Sequence, residues 1–231
     1  MRFLKDIFHL FFPKTCLCCQ EQLLRNEKVI CLKCRYELPD TDFTEELDNK
    51  IEQTFFGRVP IAFATTLLLY KTKSKSQQLI YQLKYNNHQE IGVFLGKWLG
   101  NELNNSKRFN TVKPIDYIVP VPLHPKKFKT RGYNQLTTFG KSISEIINAI
   151  YIDNILIKKS LSDTQTLKQR FERWKNVREI FYLTDINIFE NKHILLIDDV
   201  ITTGATLEAC ALQLLQVKNI KISIATMAYT E

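Results

Sequence analysis

The stretch His193–Thr206, H-I-L-L-I-D-D-V-I-T-T-G-A-T, constrains the fold more than any other part of the chain. Ile194, Leu195, Leu196 and Ile197 form an uninterrupted apolar run, the pattern of a strand covered on both faces in a parallel sheet. Asp198 and Asp199 follow side by side. Next come Thr202-Thr203-Gly204-Ala205-Thr206 and then Leu207–Val217, with Leu207, Ala211, Leu214 and Leu215 at helical spacing. The order is strand, polar turn, helix. A helix start leaves backbone N–H groups unpaired with the positive end of the helix dipole behind them, which suits phosphate. Gly204 allows the backbone to approach an anion closely, and Thr202, Thr203 and Thr206 add hydroxyl donors. The adjacent carboxylates suit sugar hydroxyls, so the stretch describes a site for a 5-phosphorylated ribose. No G-x-x-x-x-G-K-[ST] and no G-x-G-x-x-G competes with it. The plainer alternative is a strand end followed by a Thr-capped helix, which requires one Thr and no acid pair.

Ile194–Thr206 resembles, along its full length, the signature by which type I phosphoribosyltransferases bind phosphoribosyl pyrophosphate (PRPP). That resemblance is more specific for binding than for catalysis, because some proteins of this fold bind the ligand without turning it over.

The 231 residues suffice for one α/β domain of moderate size and a small appendage. No apolar run approaches the roughly 20 residues of a membrane span, so stable membrane insertion is not expected. Net charge is +8, and the stretch from Pro120 to Ile180 holds twelve Lys or Arg against five acids. Nearly the whole excess lies there, as suits a polyanion such as pyrophosphate or nucleic acid, although a solvated basic face has the same composition.

Met1–Phe12 places Leu4, Ile7, Phe8, Phe11 and Phe12 on one helical face. It lacks the cleavage site of a signal peptide and reads as a helix packed on the body or as a membrane-surface anchor. Five of the six cysteines fall between Cys16 and Cys34. Cys16-x-x-Cys19 and Cys31-x-x-Cys34 form two knuckles able to surround one tetrahedral Zn²⁺, a closed structural site. Cys18 could replace a neighbour, and disulfides are the alternative in an oxidising compartment. A reducing, cytoplasmic location is expected.

Leu38–Gly57 is polar and acidic and reads as a linker, with Phe55 and Phe56 able to pack back onto a core. Strands are expected at Ala62–Tyr70, Ile115–Val121, Ile152–Ile157 and Lys221–Ala228. Helices are expected at Gln78–Lys84, Glu90–Leu103 and Leu136–Ile150. Lys84–His88 reads as cleft cover or as a plain turn. Strands alternating with helices imply an α/β fold with a mainly parallel sheet, whose ligands sit beyond the carboxyl ends of the strands. The division expected is 1–45 for the N-terminal helix and zinc module and 46–231 for the larger domain, with 46–112 as hood and linker and 113–231 as core.

In order, the chain carries Cys16–Cys34, Leu83-Lys84-Tyr85, Val119–Pro125, Arg131–Gln135, Gln165-Thr166, Arg173, Asn176-Val177 and the PRPP signature. This ordered set resembles the ComF family, phosphoribosyltransferase-like proteins associated with competence for DNA uptake. The departure is Ser162 where Thr is expected. The resemblance implies that Asp198 and Asp199 hold ribose hydroxyls and that Thr202, Thr203, Gly204, Ala205 and Thr206 cradle the 5-phosphate. It implies a pyrophosphate loop at Pro122, Leu123 and His124, with Arg131 as its cation and Asn134 and Gln135 assisting or capping the next helix. It also implies a flap over Lys158–Arg178 in which Gln165, Arg170 and Arg173 approach the leaving group, with Mg²⁺ accompanying PRPP. The acceptor is not identified, and the hood selecting it is expected within Ala62–Leu103. The same resemblance allows a second class, a non-catalytic sensor or single-stranded DNA adaptor that contacts the DNA-uptake helicase or processing proteins.

Overall fold

The computed structural model describes residues 13–112, 114–158 and 181–230. The N-terminal segment Met1–Phe12 and the flap residues Gln165, Arg170 and Arg173 lie outside the described residues. In chain order the elements are α1 (Leu32–Tyr36), α2 (Lys50–Phe55), β1 (Phe63–Tyr70), α3 (Lys75–Tyr85), α4 (Glu90–Asn105), α5 (Lys107–Thr111) and β2 (Tyr117–Pro120). They continue with α6 (Pro125–Arg131), α7 (Leu136–Ile147), β3 (Ile150–Tyr151), β4 (Leu156–Lys158), β5 (Phe181–Leu183), β6 (His193–Ile201), α8 (Ala205–Leu214) and β7 (Lys221–Thr230).

Five strands form one sheet in the order β1-β7-β6-β2-β3, with every pairing parallel. The apolar run Ile194–Ile197 lies at its centre, wholly buried, with Leu196 in register with Val119 on one side and Ile224 on the other. Helices cover both faces, which is why this strand is apolar at every position rather than at alternate ones. The expected α/β architecture, with a small cysteine-bearing module ahead of it, is the one observed.

Two expectations are corrected. Ile152–Ile157 is not one strand of the main sheet. Ile150 and Tyr151 form the edge strand β3, while Leu156–Lys158 pairs antiparallel with Phe181–Leu183 in a separate two-stranded ribbon. Asp153 and Asn154 separate the two pieces. Leu38–Gly57 is not a linker either. Asn49 is buried and caps α2, its Oδ1 accepting the N–H groups of Ile51 (3.0 Å) and Glu52 (3.1 Å) while its Nδ2 donates to the Ala64 carbonyl at 2.8 Å. Ile51 and Phe55 are then fully buried, and Phe56 is left in solvent.

On α4, Gly92, Gly96 and Gly100 recur every fourth residue against α7. A Cβ on Gly96 would lie 2.5 Å from the Phe139 carbonyl oxygen and 2.9 Å from Ser142 Cβ, so the two helices approach to backbone contact. Gly96→Ala is expected to cost about 1–3 kcal/mol by overpacking, read as a lower midpoint in urea at unchanged slope. An unaltered midpoint would show that the interface can open at no cost.

Candidate functional site

Strand β6 does not end at the acid pair. It continues through Ile201, with Asp198 in register with Thr226 and Val200 with Ala228, so Asp198 and Asp199 sit on the strand and the turn is only Thr202–Gly204. Neighbouring strand residues face opposite sides of a sheet, and the two carboxylates have different surroundings. Asp199 is buried. Its Oδ1 meets Lys84 Nζ at 2.7 Å and its Oδ2 accepts Gln135 Nε2 at 2.5 Å. Gln135 Oε1 in turn accepts Arg131 Nη1, and the Arg131 guanidinium lies 5.6 Å from the centre of the Tyr85 ring. Asp198 is half-buried. Its Oδ1 accepts the Asp199 N–H at 2.8 Å, and its Oδ2 has no hydrogen-bond partner among the described residues. Burial first, and then the Asp199 charge, push its carboxyl up to about 8 against the pull of Lys84 and Lys158. Burial pushes the Lys158 ammonium down, while burial and Asp198 push the Cys210 thiol well up.

Gly204 adopts φ +73, which favours glycine, and heads α8 with no side-chain cap. Its missing Cβ serves packing: a Cβ there would lie 2.9 Å from Thr54 Cγ2 and 3.1 Å from Phe55 Cε1. Arg58 holds the loop from the same side, donating to the Thr203 carbonyl at 2.9 Å and pairing with Glu208. Thr202, Thr203, Ala205 and Thr206 remain exposed around the start of α8.

The residues expected in one pyrophosphate loop separate. His124 caps α6, its Nδ1 accepting the Lys126 N–H at 3.1 Å. Arg131 lines a pocket of 350 Å³ together with Lys84, Tyr85, Lys126, Lys127 and Tyr133. Pro122 and Leu123 line a different cavity of 780 Å³ that also includes Phe128, Asp153, Leu156 and Lys158. Lys84 was not among the expected site residues. The Leu83-Lys84-Tyr85 motif marked it, but nothing local connects it to a carboxylate 115 residues away.

Cys16, Cys19, Cys31 and Cys34 present sulfurs that all lie within 4.8 Å of one another, with Cys19 and Cys31 at 3.7 Å. Tetrahedral zinc with Zn–S bonds of about 2.3 Å spaces its sulfurs by about 3.8 Å. Cys16 Sγ accepts the N–H groups of Cys18 (3.4 Å) and Cys31 (3.3 Å), and Cys31 Sγ accepts that of Cys34 at 3.4 Å. Burial opposes ionisation of Cys16, but the backbone donors prevail and bring its thiol down to about 6. The four thiols therefore fit a tetrahedral metal. Cys18 is outside the group: its Sγ turns to the Lys75 carbonyl at 3.9 Å, and burial pushes its thiol up to about 12. No helix among the described residues is long and apolar enough to cross a membrane.

Competence protein F of Haemophilus influenzae is 32% identical over 130 residues, which cover 56% of this chain and 57% of that protein. DNA utilization protein YhgH of Escherichia coli K12 is 28% identical over 138 residues, 60% of each chain. The chain is thus similar in sequence to a competence protein and to a DNA utilization protein. It spans about three fifths of the length of these curated relatives. No protein-family model matches it. Among solved structures, a glutamine PRPP amidotransferase from B. subtilis is similar at a TM-score of 0.41 and 18% identity, covering 62% of this chain and 30% of that one.

Proposed function

We propose that the chain binds PRPP with Mg²⁺ and transfers its phosphoribose to an acceptor, releasing pyrophosphate, in the cytoplasmic handling of DNA during uptake. The observation that carries this reading is the gathering, at the carboxyl end of β6, of three chemically distinct parts. These are a carboxylate with an unpaired oxygen at Asp198, an uncapped helix start ringed by Thr202, Thr203 and Thr206, and a pocket with four cations. They match the hydroxyls, the 5-phosphate and the pyrophosphate of one ligand. Breaking the C1–oxygen bond leaves positive charge on the ribose and negative charge on the departing pyrophosphate. The ionised form of Asp198 opposes the first, and the pocket cations stabilise the second. Mg²⁺, when bound, adds neutralisation of the leaving group. It takes oxygen ligands mainly from phosphate and water, and Asp198 is the carboxylate available to join them. In the same reading Cys16, Cys19, Cys31 and Cys34 hold one structural Zn²⁺.

The test is calorimetric titration with PRPP and Mg²⁺, followed by a pyrophosphate-release assay with pooled bases and amines. Binding with acceptor-dependent release is expected. No binding would sink the reading, and binding without release would leave a sensor.

A second reading has its own observation. Tyr81 and Tyr85 are exposed, their ring centres are 4.9 Å apart, and Tyr85 also lines the cationic pocket. Exposed aromatics beside a basic groove suit single-stranded DNA. This reading expects affinity that falls steeply with salt and drops further in Tyr81→Ala; negligible binding at low salt would exclude it.

A further inference from the structure

We propose that Lys84 is an anion-binding residue of the 350 Å³ pocket, and that Asp199 is a positioning residue for that pocket rather than a ligand for sugar hydroxyls. The inference deepens the phosphoribosyl reading and rests on it only for the identity of the natural ligand.

Both oxygens of Asp199 are engaged, Oδ1 by the Lys84 ammonium and Oδ2 by the Gln135 amide, and its side chain is only 11% exposed. A neutral hydroxyl gains too little to displace an ammonium from a mostly buried ion pair, because separating such a pair leaves a charge unpaired. The same carboxylate also reaches a second cation. Gln135 spends its N–H on Asp199 and its carbonyl oxygen on Arg131, which fixes the amide orientation and with it the guanidinium. Lys84 arrives from α3 and Arg131 from α6, so one buried acid sets cations from two elements around one cavity. The Tyr133 hydroxyl, donating to the Leu83 carbonyl, ties the turn after α6 to the same end of α3. Lys126 and Lys127 line the remaining wall. Several cations and two tyrosines about a small cavity suit a compact polyanion, and pyrophosphate is the class that fits. Asp198, with its unpaired oxygen, is left as the hydroxyl ligand.

Inorganic pyrophosphate separates the two roles because it has no sugar. If Asp199 served hydroxyls alone, Asp199→Asn would leave pyrophosphate affinity unchanged or improve it, since a negative charge is lost beside an anion. If Asp199 positions Lys84 and Arg131, affinity falls despite that loss. Calorimetry with pyrophosphate is expected to show at least tenfold weaker binding for Asp199→Asn and for Lys84→Met, with the double variant losing less than the two single losses combined, because Lys84 is one of the two cations through which Asp199 acts. Lys84→Arg should recover part of the affinity. Gln135→Leu, which alters no charge, should weaken binding severalfold, and it remains decisive if Asp199→Asn does not fold. Asp199→Asn binding as tightly as the parent overturns the positioning role, and so does Gln135→Leu binding normally; a parent that does not bind pyrophosphate overturns the pocket. A parallel PRPP titration keeps the two proposals apart. Pyrophosphate binding without PRPP binding sinks the phosphoribosyl reading and spares the pocket, whereas PRPP binding without pyrophosphate binding does the reverse.

Discussion

Stripping the proposed Zn²⁺ from the native protein with a strong chelator is expected to lower Tm by about 10 °C or more. Cys16→Ser, Cys31→Ser and Cys34→Ser should each fail to retain stoichiometric zinc. Cys16, Cys31 and Cys34 are buried, and with Ile30 and Leu38 they join the main core. Without a metal, that core must hold a thiol brought down to about 6 and another pushed up by burial. Zinc binding by such a set is worth about 10–16 kcal/mol in small modules, as much as the whole stability of a typical domain, about 5–15 kcal/mol. The loss should spread beyond the module. The Cys18 thiol reaches the Lys75 carbonyl at the start of α3, and Arg35 lies over the rings of Trp98 and Phe94 on α4. A loss of about 3–5 kcal/mol from those contacts moves Tm by roughly 2–4 °C per kcal/mol in a chain of this size. Scanning calorimetry beside elemental analysis reads both quantities. Equal Tm with and without metal would remove the structural role, and loss of zinc in Cys18→Ser would overturn the ligand set.

The sequence disclosed what local pattern can encode. A strand covered on both faces must be apolar at every position, so β6 was legible, and two knuckles of fixed spacing announced the four thiols. α2 was not legible, because its anchors are two apolar residues, Ile51 and Phe55, in an acidic stretch, and its cap is a buried Asn that also donates to the Ala64 carbonyl on β1. Ile152–Ile157 reads as one strand until Leu156–Lys158 finds its partner at Phe181–Leu183, a pairing with no local signature. The opposed surroundings of the acid pair escaped for a related reason. Taking both acids as part of a turn concealed that the strand, with its alternation, runs on to Ile201. Only the fold brings Lys84 and Gln135 to Asp199, and Lys158 near Asp198.

That division gives Asp198 an unusual energetic position, which Asp198→Asn exposes. An acid whose carboxyl rises from 3.8 in the unfolded chain to about 8 in the fold holds its proton more tightly when folded. Between those limits the native state binds more protons than the unfolded state, so stability falls as pH rises from about 4 to about 8. Asn carries no such penalty. The full rise would be worth roughly 5 kcal/mol, and solvent at this half-buried residue brings the expected gain at pH 8 to about 3 kcal/mol. Asp198→Asn should therefore match the parent near pH 4 and exceed its Tm by a margin that widens toward pH 8, while PRPP affinity collapses because the hydroxyl ligand is gone. A stabilised protein that no longer binds is the mark of a residue kept for its ligand rather than for its fold. Thermal scans from pH 5 to 8, run beside PRPP calorimetry, decide the matter. Parallel stability curves would show that Asp198 is already ionised and paired in the free protein, and unchanged affinity would remove it from the site.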